Sequence, residues 1–266
     1  MSDLTFTGER LHEDDALFGV DLAQHRAAYR FVLERADGGR VLELGSGTGY
    51  GAAELAQGGL GVVAVDRVAP LAAARSAGVR FVRADLNALP LRADSFDRVV
   101  SFQVIEHLDD PMVYLASMAR LLTPGGEAIV TTPNVLTSLG VNPYHVHEYR
   151  ADELGRLLGA FFEQVEIRGV GATEPVRRYL EARSVRIRRI MRIDPLGVRN
   201  LLPRAWIERL FAWFAVVVRR GVQRDDAMPE VTWRDFPISR AEIEGEGASD
   251  DCVDLLAVCR RPRSLS

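Results

Sequence analysis

The sequence predicts an α/β protein built on a mostly parallel sheet with crossover helices. Short apolar runs alternate with helical patterns from residue 40 to Pro133, the rhythm of successive strand–helix–strand units. The first run, Val41-Leu42-Glu43-Leu44, passes directly into glycines at alternate positions, Gly45, Gly47 and Gly49, and then into a helix start. The next two runs each end in an acid, Asp66 and Asp85. A strand that enters a Gly-rich turn and then a helix N-terminus makes a ligand cradle. Glycine permits close backbone approach and positive φ, and the helix end offers N–H groups to an anion.

Taken in order, residues 1–20 are mixed, with Thr7-Gly8-Glu9-Arg10 and the acidic Glu13-Asp14-Asp15. Asp21 is placed to cap a helix over 22–36, with Leu22, Tyr29, Val32 and Leu33 on one stripe and Gly38-Gly39 ending it. Strands follow at 41–44, 62–66, 79–85 and 96–103. A helix over 111–122 has Met112, Leu115, Met118, Leu121 and Leu122 inward and stops at Thr123-Pro124-Gly125-Gly126. A fifth strand covers 127–132 and a polar, His-rich stretch 142–149; an amphipathic helix over 151–160 and an alternating sixth strand over 164–168 come next. Residues 171–230 break the rhythm and are rich in arginine, and 254–260 offers a final strand.

Length and composition fit one globular core with a subdomain inserted: 266 residues, 47% hydrophobic, 26% charged, net charge −4. All 33 basic residues are arginine. Cys252 and Cys259 on one strand would stand about 23 Å apart, beyond disulfide reach. The N-terminus has no basic and apolar leader, and no run approaches the ~18 apolar residues of a membrane span, so a cytoplasmic protein is expected. The basic segment carries no interleaved aromatic platform and the whole chain is acidic, which argues against a nucleic-acid partner.

The pattern Glu43-x-Gly45-x-Gly47-x-Gly49, followed by Asp66, by Asp85-Leu86 and by the strand ending at Gln103, resembles the class I S-adenosylmethionine-dependent methyltransferases. The resemblance implies a three-layer, Rossmann-like, seven-stranded sheet with its last strand antiparallel. It divides the single 1–266 domain into an N-terminal helical extension (1–38), a cofactor core (40–170), a basic helical insertion (171–230) and a return to the sheet (231–261). It also implies cofactor contacts from Glu43, Gly45, Ser46, Gly47, Gly49, Asp66, Arg67, Asp85, Leu86 and Gln103. In the family the acid after the second strand takes the ribose hydroxyls and the one after the third takes the adenine amine. NAD is not expected.

Gln103-Val104-Ile105-Glu106-His107-Leu108 follows the fourth strand, on the side where open α/β sheets bind ligands. One helical turn would set Gln103, Glu106 and His107 on a common face. His107 is the first candidate for a base. Some relatives hold a divalent metal with a Glu-x-x-Glu-His motif and a later His, which maps here onto Glu106, His107 and His145, with Gln103 in place of the first Glu and His147 nearby. Two imidazoles would suit Mn²⁺ or another transition ion over Mg²⁺. Together with Thr7–Arg10, Thr132-Pro133-Asn134 and Asn142-Pro143-Tyr144-His145, these residues are similar to bacterial sugar and polysaccharide O-methyltransferases. That resemblance implies methylation of a glycan hydroxyl. Two other readings stand beside it: methylation of a quinol or other small metabolite, and a non-catalytic cofactor-binding module. The 177–220 segment, with Trp206, Phe211 and Trp213 flanked by arginine, reads as an acceptor lid, a homodimer surface or a peripheral contact with the inner membrane face.

Overall fold

The computed structural model describes residues 18–70, 72–75, 77–140, 142–191, 230–239 and 250–263. In chain order they form α1 (Gly19–Leu33), β1 (Arg40–Leu44), α2 (Tyr50–Gln57), β2 (Gly61–Asp66), the single turn α3 (Ala72–Arg75), β3 (Arg80–Arg83) and β4 (Phe96–Phe102). Then come α4 (Met112–Leu121), β5 (Leu122–Pro133), α5 (Ala151–Gly159), β6 (Phe162–Val170), α6 (Glu174–Met191) and β7 (Asp254–Pro262). The seven strands make one sheet in the order β3-β2-β1-β4-β5-β7-β6. All pairings among β1 to β5 are parallel, and β7 runs antiparallel between β5 and β6.

Strand direction and side-chain alternation divide the core between the two faces. Val41, Val62, Val100 and Ile129 pack under α1 and α2, while Leu42, Val99, Ala128 and Val130 pack under α4 and α5. Strands buried on both faces need no polar alternate positions, which is why they read as continuous apolar runs. The strand order reverses between β1 and β4, so the crevice at their carboxyl ends is the natural ligand site.

Several local expectations change. The first helix starts at Gly19 and ends at Leu33, with Phe18 at its N-cap. Asp21 lies in the first turn, where its carboxylate accepts from Arg183 Nη1 at 2.8 Å and makes no cap. Met112 is 47% exposed, because α4 buries Tyr114, Leu115, Met118 and Leu121 and Met112 precedes that packed face. Leu122 belongs to β5, pairing with Phe96 before the register shifts and resumes at Arg98 opposite Glu127. Within the basic insertion α6 is the described element, and no described helix is long and apolar enough to cross a membrane. Thr7–Arg10, Trp206, Phe211 and Trp213 lie outside the described residues.

Candidate active site

The donor cradle is held by backbone hydrogen bonds across the β1–β2 crevice. Gly45 N and Ser46 N donate to Val65 O at 2.8 and 3.1 Å, and Gly49 N closes the turn on Ser46 O at 2.8 Å. Gly45, Gly47 and Gly49 all take positive φ (81°, 53° and 86°), with Gly49 as the N-cap of α2. A Cβ on Gly45 would lie 2.4 Å from Val104, whereas one on Gly47 would meet nothing within 4 Å, so Gly47 borders open space. Asp66 grips this turn: its two carboxylate oxygens accept from Gly47 N at 2.8 Å and Val68 N at 2.9 Å. A carboxylate retains lone pairs for a diol after two such bonds.

Glu43 is 1% exposed, and burial pushes its carboxyl up to about 7 against the Tyr29 hydroxyl that donates to it at 2.5 Å. Ser46 Oγ is buried with no partner among the described residues, which fits a cradle whose polar ligand completes it. On the outer rim Asp85 accepts from Asn87 N at 2.9 Å and pairs with Arg67 Nη2 at 2.8 Å. The Asn87 amide first, then Arg67, holds its carboxyl below the usual range. Leu86 is half-buried beside it. A purine edge and Arg67 would therefore compete for the same carboxylate.

After β4 the chain turns sharply. Gln103 takes φ 56° and Ile105–His107 form a 3-10 turn, so the regular helical face expected for Gln103, Glu106 and His107 does not form. Gln103 lies on the side of Asp254, while Glu106 and His107 meet His145 from the loop after β5. Donor atoms of Glu106, His107 and His145 all lie within 4.8 Å of one another. Glu106 is fully buried and accepts from Thr132 Oγ1 at 3.1 Å, and its carbonyl receives Val146 N at 2.7 Å. His107 Nδ1 meets Tyr144 O at 2.9 Å, and His145 Nδ1 meets Glu148 Oε1 at 2.6 Å. With both Nδ1 atoms held by oxygen acceptors, the Nε2 atoms carry the lone pairs. This is the outer support that metal-binding histidines use. The donor set thus fits a divalent cation. His147 turns outward to Glu153 at 2.7 Å and takes no part.

Beside this cluster opens a cavity of about 740 Å³. His145, Gln103 and Asp254 line it near the sheet, Leu136 and Asn142 come from the loop after β5, and α6 supplies a whole wall that includes Arg183 and Arg188. Asp254 and Gln24 are the functional candidates missed from sequence. Asp254 did leave one signal, an acid opening an otherwise apolar strand; Gln24 left none. His25 Nδ1 meets Tyr50 Oη at 3.1 Å, and burial pushes its pKa down to about 4.

A Gly-rich cradle at the reversal of strand order is the arrangement with which open α/β sheets hold nucleoside-bearing ligands. The comparisons agree. A family described as a methyltransferase domain matches residues 42–130. A probable S-adenosylmethionine-dependent methyltransferase of Mycobacterium tuberculosis is 34% identical over 97% of this chain and 90% of that protein. One from Mycolicibacterium smegmatis is 33% identical over 98% and 96%. The chain belongs to the S-adenosylmethionine-dependent methyltransferases, and S-adenosylmethionine is its cofactor. The fold is shared with an S-adenosylmethionine-dependent methyltransferase from Thermotoga maritima, with a TM-score of 0.58 at 19% identity over 92% of both chains.

Proposed function

We propose that this enzyme methylates a hydroxyl of a sugar or glycan. In this reading Gly45, Ser46, Gly47, Gly49, Asp66, Arg67, Asp85 and Leu86 hold the donor, and Glu43, expected there from sequence, is buried behind them against Tyr29. Glu106, His107 and His145 serve the acceptor oxygen. The observation that carries it is the cluster of those three side chains, within 4.8 Å of one another, at a cavity lined by Gln24, Asn142, Gln103 and Asp254. Those polar groups offer hydrogen bonds to a polyol, set among apolar wall from Leu136, Leu180, Val185 and Ile187.

The donor's methyl is already activated, so the chain's task is to align an acceptor oxygen and remove its proton. Glu106, His107 and His145 would hold a divalent cation, which would act as a Lewis acid on the acceptor hydroxyl and lower its pKa. Buried Glu106 supplies the charge that neutral imidazoles lack, and Thr132 orients it. Without a cation, His107 Nε2 is the proton acceptor, its tautomer set by the Tyr144 carbonyl.

The test is methyl transfer from labelled donor to a panel of glycosides and phenols, before and after exhaustive chelation. Glycoside turnover lost on chelation and restored by Mn²⁺ or Mg²⁺ is expected, with His145→Ala and Glu106→Gln behaving like the chelated enzyme. Full activity in chelator leaves His107 as base. Turnover of phenols alone removes the glycan reading.

A further inference from the structure

The acceptor cavity contains an arrangement that catalysis by the Glu106 cluster does not use. Asp254 opens β7 opposite Pro133 of β5 and Val170 of β6, and the residues after it, Leu255 to Cys259, are all buried. It is 5% exposed, lines the cavity, and forms no salt bridge among the described residues. Gln24 Nε2, from α1, donates to Asp254 Oδ2 at 2.6 Å. Gln103 stands close enough to the same carboxyl to stabilise its charge, and its buried Nε2 makes no hydrogen bond of good geometry among the described residues. Burial pushes the Asp254 carboxyl up to about 7, a measure of how poorly the protein alone solvates its charge.

A carboxylate and an amide N–H left side by side in a buried wall form an acceptor–donor pair. A hydroxyl matches that pair: its proton goes to the carboxylate and its lone pair receives the amide. Neither an ammonium nor an apolar group does both.

We propose that Asp254 and Gln103 are acceptor-recognition residues that bind a second hydroxyl of the acceptor, next to the one methylated, and that Gln24 positions Asp254. This rests on the cavity being the acceptor site of an O-methyltransferase, and it narrows the acceptor to compounds with two neighbouring hydroxyls. A site built to bond a hydroxyl discriminates strongly against the analogue that lacks it, because its own polar groups are then left buried and unpaired.

The experiment compares wild type, Asp254→Asn and Gln103→Ala on a glycoside that wild type methylates and on its singly deoxygenated analogues. Donor affinity by calorimetry and melting temperature are measured alongside. In wild type one deoxy analogue should have a KM raised about tenfold or more. Asp254→Asn should raise the parent glycoside's KM by a similar factor and abolish the difference between parent and deoxy analogue, with donor affinity unchanged. A residue that only braces the fold would lower stability and leave that difference intact, which overturns the proposal, as does an unchanged KM. If wild type methylates phenols and no glycoside, the glycan reading falls by itself. Catechol against phenol then provides the same comparison, and equal KM values for both in wild type overturn the role of Asp254.

Discussion

Glu43 shows what one residue contributes when a strand carries an acid into the core. Tyr29 and the Ala52 amide stabilise its charged form, yet desolvation outweighs both and its pKa rises to about 7. The folded state therefore keeps a proton that the unfolded chain releases near pH 4. Its contribution to stability is complete at low pH and is lost as pH rises through about 7. Asp254, also raised to about 7, acts in the same direction. Glu43→Gln keeps a neutral side chain of the same shape and should flatten the fall in stability between about pH 4 and about pH 7. Denaturant titrations of both proteins across that range check this, and parallel curves would show that Glu43 does not titrate within it.

At the scale of elements, α1 is keyed onto α2 by one missing side chain. A Cβ on Gly51 would fall 1.9 Å from the Tyr29 ring, which packs edge-on against Tyr50 and Phe102 at centroid distances of 5.7 and 4.9 Å. Gly51→Ala should cost about 1–3 kcal/mol by overpacking and move Tyr29 off Glu43, read as a lower melting temperature. An unchanged melt would show that α1 can slide. These elements also explain what the sequence disclosed. Strand β1, the glycines and Asp66 were legible because their signals are local: an apolar run, a spacing, an acid at a strand end. Asp254 was less so, since its meaning depends on Gln24, 230 residues away in sequence. Gln103 misled because a left-handed backbone breaks the helical periodicity from which its face was inferred. His145 was assigned to the cluster through the resemblance, and the structure sets the two imidazoles apart through Glu148 and Glu153, each holding one.

For the whole molecule, the sheet acts as one body and its interior is inert. Cys252 and Cys259 are reduced and buried, with burial pushing their pKa values up to about 11 and about 12. Neither thiol should react with a neutral thiol reagent in the native protein, and both should react together, in one phase, once the sheet opens in denaturant. Reaction of Cys252 alone in native conditions would mean that the start of β7 opens independently, and the acceptor cavity with it.

The central position of β7 also bears on biosynthesis. β6 has no neighbour in the sheet except β7, and β5 has β7 on its far edge. β5 leaves the ribosome about 120 residues, and β6 about 80 residues, ahead of the strand that fills the gap between them. At roughly 5–20 residues per second, that gap stays open for on the order of 4–16 seconds per molecule. During that interval two unpaired strand edges on one nascent chain can pair with those of the next chain along the same message. Dense polysome loading, more than any property of the finished enzyme, should then set how much of it reaches the folded state.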